Sequence, residues 1–116
     1  MPYINIEIAK SIEEEAKKNI VTKSGEILRE EADKPEEYLM IKINRESEMW
    51  FGSEKKECAY IDLRVLGKLS DIQKNNITEK MSRVIAKEAK IDEENIYITF
   101  TEISSENWGH NGKTFA

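Results

Sequence analysis

The strongest constraint on the fold is a repeat within the chain at a shift of 57 residues. At that shift Tyr3–Ile6 aligns with Tyr60–Leu63, and Ile27–Leu28 aligns with Val84–Ile85. Further pairs match in the same register without a gap: Ile12 with Leu69, Ile20 with Ile77, Glu31–Ala32 with Glu88–Ala89, Glu36–Glu37 with Glu93–Glu94, and Ile41 with Ile98. Agreement over such a length indicates an internal duplication, so the fold should consist of two similar halves.

The duplication divides the 116 residues into four parts. We expect a single domain, 1–116, in which 2–45 and 58–102 are the repeats, 46–57 is the linker and 103–116 is the tail. This length is close to that of a typical domain and is enough to enclose a hydrophobic core.

The first repeat has the pattern of a β-α-β unit. Pro2–Ile8 alternates apolar and polar residues, as a half-buried strand does. Ser11–Glu14 has the capping-box pattern of a helix start, and Asp33–Pro35 ends the helix because proline disfavours the α region in the residue before it. Tyr38–Ile43 is the second strand. The helix presents one apolar stripe, formed by Ile12, Ala16, Ile20, Ile27 and Leu28.

The second repeat follows the same plan. Cys58–Leu66 and Asn95–Thr101 are its strands, and Ser70–Gln73 is a second capping box. Its helical stripe consists of Ile72, Ile77, Met81, Val84 and Ile85. Each β-α-β crossover makes its two strands parallel. We therefore expect an α+β fold with a four-stranded mixed sheet and two helices on one face; Trp50–Gly52 and the tail are candidates for further short edge strands.

The two faces of this sheet differ in composition. One parity is apolar and should meet the helices: Ile4, Ile6, Leu39, Ile41, Ile61, Leu63, Val65, Ile96, Ile98 and Phe100. The other parity carries all four tyrosines and several polar residues: Tyr3, Tyr38, Tyr60, Tyr97, Asn5, Glu7, Lys42, Asp62, Arg64 and Thr99. This second face is either solvated, as in many α+β proteins, or turned toward copies of the chain around a polar channel. The tyrosines and charges favour the oligomer.

Composition excludes most of the common catalytic sites. A net charge of −5 disfavours nucleic acid as a partner, and a mean hydropathy of −0.65 disfavours a membrane. With one cysteine and one histidine, the chain can form neither an internal disulfide nor a His/Cys zinc site. Its five glycines are scattered and form neither a GxGxxG motif nor a P-loop. We expect no metal and no cofactor. Without a signal-peptide pattern, the predicted location is the cytoplasm.

Pro2 directly follows the initiator methionine, and its small size permits removal of Met1. The exposed proline would then carry a secondary amine at the start of a strand. An apolar pocket or a nearby lysine would lower the pKa of that amine and make it a general base at neutral pH. The structural alternative is a proline at the edge of a strand.

Several segments recur in one order along the chain: Pro2, Lys34–Pro35 with Tyr38, Phe51–Ser53, Leu66–Lys68, Tyr97, Asn107–Gly112 and Thr114–Ala116. This pattern resembles the macrophage migration inhibitory factor family, with its D-dopachrome tautomerase relatives, in the tautomerase superfamily. The resemblance covers the whole chain, and its most specific part is the end, Thr114–Ala116. It implies the tautomerase fold, a homotrimer, and keto-enol tautomerase activity on small aromatic keto or enol acids such as phenylpyruvate.

The resemblance also implies the roles of individual residues. Pro2 is the catalytic base, and Lys34 binds the substrate carboxylate or the developing enolate oxygen. The backbone N–H of Leu66 is a second donor to that oxygen. The remaining substrate-binding residues are Tyr38 and Val65 on the same side, an aromatic wall of Tyr97, Trp108 and Phe115 in which Tyr97 comes from a neighbouring subunit, and the positions of Thr99 and His110.

Three positions depart from the family pattern. Cys58–Ile61 replaces a Cys-x-x-Cys motif, so thiol oxidoreductase activity is not expected. Thr99 replaces an asparagine that contacts the distal end of the substrate. His110 replaces a tryptophan that is frequent in vertebrate members, and it is either a titratable rim of the site or an exposed histidine of the tail.

Two other functions compete with the tautomerase. The first is a cytokine-like or host-modulating binding protein with a vestigial site, which would be secreted without a signal peptide and bind a receptor. The second is a dehalogenase or decarboxylase of the same superfamily. That chemistry usually recruits further arginines near the proline, whereas Arg64 is the only arginine on a predicted strand. The dehalogenase or decarboxylase is therefore the least favoured of the three functions.

Overall fold

A computed structural model describes residues 1–116. In chain order the elements are β1 (Pro2–Ile8), α1 (Glu14–Ala32), β2 (Met40–Arg45), β3 (Trp50–Phe51), β4 (Glu54–Lys55), β5 (Ala59–Leu66), α2 (Asp71–Ala89), β6 (Ile96–Ile103), β7 (Gly109–His110) and β8 (Lys113–Thr114). Single 3₁₀ turns occupy Glu36–Tyr38, Glu93–Asn95 and Ser105–Asn107. No helix is long and apolar enough to span a bilayer.

The four long strands form one mixed sheet, as the sequence predicts, and their order is β2-β1-β5-β6. β1 is parallel to β2 and β5 is parallel to β6, while β1 and β5 are antiparallel at the centre. Both parallel pairs have the same register, since Tyr3 pairs with Met40 and Tyr60 pairs with Tyr97. Asn5 pairs across the centre with Asp62, its counterpart in the second repeat. The two β-α-β units are therefore related by a pseudo-twofold axis beside this pair.

The core lies between the helices and the predicted apolar face of the sheet. The strands contribute fully buried isoleucines and leucines, and α1 and α2 cover them with residues at helical spacing. The buried set includes Ile4, Ile6, Ile8, Ile20, Leu28, Ile61, Leu63, Val65, Ile77, Met81 and Ile85. The strand positions were predicted from period-two alternation, which fixes the face on which each side chain lies.

The two helices span equivalent residues but begin differently. The predicted capping box of α2 is confirmed, because Ser70 Oγ accepts from the Gln73 N–H at 3.1 Å and the Gln73 side chain accepts from the Ser70 N–H at 2.8 Å. The capping box predicted at Ser11 is wrong. α1 begins at Glu14 after Glu13 without a side-chain cap, and Ser11 Oγ instead donates to Glu46. A local motif sets a helix start only where the chain direction brings the hydroxyl to the N–H groups.

Three other expectations need correction. The second strand begins at Met40, because Tyr38 lies in a 3₁₀ turn and not on the sheet. Ile72 is 74% exposed and does not belong to the core, whereas Leu69 is buried there. The linker and the tail do form strands, but β3–β4 and β7–β8 are separate two-residue hairpins and do not extend the main sheet.

The difference between the helix starts predicts a difference in stability. Ser70→Ala removes the hydroxyl that accepts from the Gln73 N–H, while position 70 keeps the backbone N–H that donates to the Gln73 side chain, and it should lower the free energy of unfolding by about 1 kcal/mol. The matched variant Ser11→Ala removes one long surface bond and should cost less than about 0.5 kcal/mol. Urea unfolding followed by circular dichroism at one protein concentration measures both. Equal losses would show that the box does not stabilise α2.

Candidate active site

A cavity of about 570 Å³ opens where β1 begins. Its walls come from four parts of the chain: the first residues, the turn before β2, the ends of β5 and β6, and the tail. The lining residues are Met1, Pro2, Tyr3, Glu37, Tyr38, Leu39, Met40, Arg64, Ile103, Asn107, Trp108, Gly109 and His110. Most of these are apolar or aromatic, which is typical of sites for small organic ligands.

Pro2 lies at the bottom of this cavity and is fully buried. It is the first residue of β1 and pairs with Val65 of β5. The ladder continues by one further bond, because the Leu66 N–H donates to the carbonyl oxygen of Met1 at 3.1 Å. Proline itself has no N–H to offer the ladder, so its place at the start of a strand costs no backbone bond.

Lys34 reaches the same point from the helix side. Asp33 takes the left-handed conformation that closes α1, and the Lys34 N–H donates back to the Leu28 carbonyl oxygen at 3.1 Å. The side chain then turns to the sheet, where Lys34 Nζ donates to the Leu66 carbonyl oxygen at 3.1 Å. The N–H and the C=O of Leu66 thus face two different groups, Met1 and the lysine.

The surroundings lower the pKa of the N-terminal amine. Burial of the Met1 amino group is the larger cause, because it penalises the charged form, and the positive charge of Lys34 is the second. A group at this position is therefore neutral at a lower pH than an exposed α-amino group. The end of β1 thus combines an amine that readily loses its proton, an ammonium group and a backbone donor.

Four of the residues predicted for the site line the cavity: Pro2, Tyr38, Trp108 and His110. Lys34 and Leu66 adjoin it through the contacts described above. Phe115 lies at its edge, where its ring stacks on His110 with 6.2 Å between centroids and 8° between planes. The histidine is exposed and part of the cavity wall.

Three predicted residues lie elsewhere in the protomer. The side chain of Val65 is fully buried in the core, so only its backbone faces the end of β1. Tyr97 is 61% exposed and packs on Phe51, with 5.0 Å between ring centroids. Thr99 Oγ1 shares a hydrogen bond of 2.6 Å with the Tyr60 hydroxyl on the open face of the sheet.

Sequence reasoning did not single out the other half of the cavity wall. Tyr3 and Arg64 have no role in the tautomerase site that the sequence predicts. Tyr3 follows Pro2 in the chain, whereas Arg64 comes near Pro2 only through the pairing of β5 with β1. Asn107 belongs to a segment of the family resemblance without a role of its own, and no sequence signal marks Met40 or Ile103, which line the cavity only in the folded chain. The chain assembles no cluster of three or more potential metal ligands.

Comparison with known proteins gives consistent results. The family model described as macrophage migration inhibitory factor (MIF) matches residues 1–116. The chain is 29% identical to the macrophage migration inhibitory factor homolog of Brugia malayi over 115 residues, 99% of each chain, and 32% identical to that of Xenopus laevis over 83 residues, 72% of each.

Solved structures show the same fold over nearly the whole chain. The macrophage migration inhibitory factor homologue of Prochlorococcus marinus has a TM-score of 0.90 at 25% identity, covering 98% of this chain and 99% of that one. The macrophage migration inhibitory factor-like protein of Entamoeba histolytica has a TM-score of 0.88 at 29% identity, covering 97% of both.

The electrostatics of the site predict the effect of one substitution. Lys34→Met removes the cation but keeps most of the side-chain volume, so the pKa of the N-terminal amine should rise. It should stay below the ordinary value, because burial remains. The matched variant Lys68→Met, at the same end of the sheet, should leave the pKa unchanged. The pKa of the amine in the unsubstituted protein and in both variants is measured from the pH dependence of its acetylation, followed by mass spectrometry. Identical titrations would show that Lys34 does not lower this pKa.

Proposed function

The chain belongs to the macrophage migration inhibitory factor family, and we propose that it is a keto-enol tautomerase of the phenylpyruvate or dopachrome type. Its general base is the amine of Pro2, which becomes free when Met1 is removed. The substrate is a small aromatic keto or enol acid, and the reaction needs no cofactor.

One observation carries this proposal: the Leu66 N–H is bonded to the carbonyl oxygen of Met1, directly beside the Pro2 nitrogen. Loss of Met1 has two consequences at this point. It converts the Pro2 amide into a secondary amine, and it takes away the oxygen that the Leu66 N–H holds. A base and an oxygen-binding donor therefore become available together, at neighbouring positions.

The reaction follows from these groups. The neutral nitrogen of Pro2 takes a proton from the carbon next to the ketone, and negative charge develops on the ketone oxygen. The Leu66 N–H and the Lys34 ammonium stabilise that charge without reorganising, because the ladder and the end of α1 already hold them. The proton on Pro2 is then delivered to the oxygen, which gives the enol. The reverse sequence converts the enol to the ketone.

The remaining walls would hold the aromatic end of the substrate. Tyr38, Trp108 and His110 line the cavity, and Phe115 supports the histidine. Val65 contributes its backbone only. We propose that Tyr97 and Thr99 are supplied by a neighbouring subunit of a homotrimer, since both are exposed and outside the cavity of their own protomer.

The open face of the sheet supports this assembly. Asn5 Oδ1 is buried there without a hydrogen-bond partner, although buried polar atoms are normally paired. The exposed ring of Tyr97 belongs to the same face. A second copy of the chain that covers this face would bury its exposed tyrosine and polar side chains.

Retention of Met1 should abolish activity. The amide nitrogen of Pro2 is not a base, and the Leu66 N–H stays bonded to Met1. We expect kcat/KM for phenylpyruvate to fall by about 10²- to 10⁴-fold relative to protein without Met1. Intact-mass spectrometry defines the two preparations, which differ in that residue alone. Pro2→Gly should also be slower. Full activity with Met1 attached would refute the mechanism.

The pKa of the amine sets the pH dependence. Pro2 acts when neutral, so kcat/KM should rise with pH through the pKa of the amine and level off above it. Burial and Lys34 lower the pKa of the adjacent Met1 amino group, and Pro2 is itself fully buried, so we expect the plateau to begin at a lower pH than an exposed proline amine would give. A profile of phenylpyruvate tautomerisation, corrected for the uncatalysed rate, measures this. A kcat/KM that rises only at a pH above the pKa of an exposed proline amine would contradict the proposal.

A further inference from the structure

Arg64 is a cation of the cavity that the reaction described above does not use. It lies on β5, one residue before Val65, the partner of Pro2, and it pairs with Tyr3. Paired residues of antiparallel strands have Cα atoms about 4.5–5.5 Å apart. The arginine therefore starts from a position beside the first residues of β1, and its side chain, half exposed, forms part of the cavity wall.

Most of the hydrogen-bonding capacity of this guanidinium is free. A guanidinium has five N–H donors. Arg64 uses one, from Nη2 to Asp62 Oδ2 at 3.2 Å, and Asp62 is its only ion-pair partner. Glu37, the acidic side chain of the cavity wall, forms no ion pair with it. The arginine thus presents a largely unpaired charge to the cavity.

The two cations of the site approach the end of β1 from different sides. Lys34 comes from the helix side and is held at the Leu66 carbonyl oxygen. Arg64 belongs to the open face, the parity of Tyr3. A ligand bound over Pro2 would therefore have a cation at each end, and a guanidinium matches the two oxygens of a carboxylate better than any other side chain.

A substrate with a single carboxylate would satisfy only one of these cations. Its apolar end would lie against Arg64 and displace water from the guanidinium N–H groups that Asp62 leaves free, and leaving those donors unpaired costs free energy. A second carboxylate removes that penalty and adds a charge-assisted bond. We propose that Arg64 makes this cavity select enolisable 2-oxo acids that carry a second carboxylate; this inference rests on the proposed tautomerase function and narrows its substrate class.

The test compares two substrates, oxaloacetate with two carboxylates and phenylpyruvate with one. Arg64→Gln should lower the ratio of kcat/KM for oxaloacetate to that for phenylpyruvate by about tenfold or more. Arg64→Lys keeps the charge but not the bidentate fork, so its ratio should lie between those of the unsubstituted protein and Arg64→Gln. The control is Arg83→Gln on α2, an exposed arginine paired with Glu79 and absent from the cavity, which should leave the ratio unchanged.

An unchanged ratio, or an equal loss for both substrates, would overturn the inference, because Arg64 would then serve the fold or the assembly and not selection. A direct binding measurement tests the role of Arg64 separately from the proposed tautomerase activity. If the protein turns over neither substrate, the tautomerase proposal fails, yet succinate titrated by NMR should still bind about tenfold more weakly to Arg64→Gln than to the unsubstituted protein. An equal Kd for succinate would overturn the role of Arg64 by itself.

Discussion

The antiparallel pairing of β1 with β5 is the interaction on which the rest of this structure depends. It joins the two repeats at the Asn5–Asp62 pair, so one set of ladder bonds converts two β-α-β units into a single sheet. The same ladder fixes the end of β1, where Pro2 faces Val65 and the last bond runs from Leu66 to Met1. Fold and site are therefore set by one register, and a slip by one residue would displace both.

The cavity lies at the end of one repeat only, because the two repeats differ at the positions that form it. The equivalent of Pro2 in the second half is Ala59, an internal residue of β5 with peptide bonds on both sides. The equivalent of Lys34 is Ile91, which is buried in the core and carries no charge. The duplication supplies the scaffold twice, but the proline at the start of the first strand and the lysine after the helix occur in only one copy.

The sequence predicts most of the fold because hydrophobic periodicity repeats in both halves. The face of each strand residue and the spans of the helices follow from that pattern, and Ser70 caps α2 as expected. The capping box at Ser11 and the strand position of Tyr38 were wrong, since the path of the chain, which no local pattern encodes, decides them. The cavity shows the same limit. Pro2 and Lys34 are identified through a family resemblance, whereas no pattern in the sequence marks Met40 or Ile103 as parts of the same cavity.

If Pro2 is the general base, its nitrogen should be the most reactive nucleophile of the protein at neutral pH. The only thiol, Cys58, is buried, and burial raises its pKa, so it should react slowly. The most direct test is to treat protein without Met1 with one equivalent of 3-bromopyruvate at pH 7 and to locate the adduct by peptide mass spectrometry. We expect a single adduct, on Pro2, and slower formation of that adduct in Lys34→Met. An adduct on Cys58 or on surface lysines, with Pro2 unmodified, would contradict it.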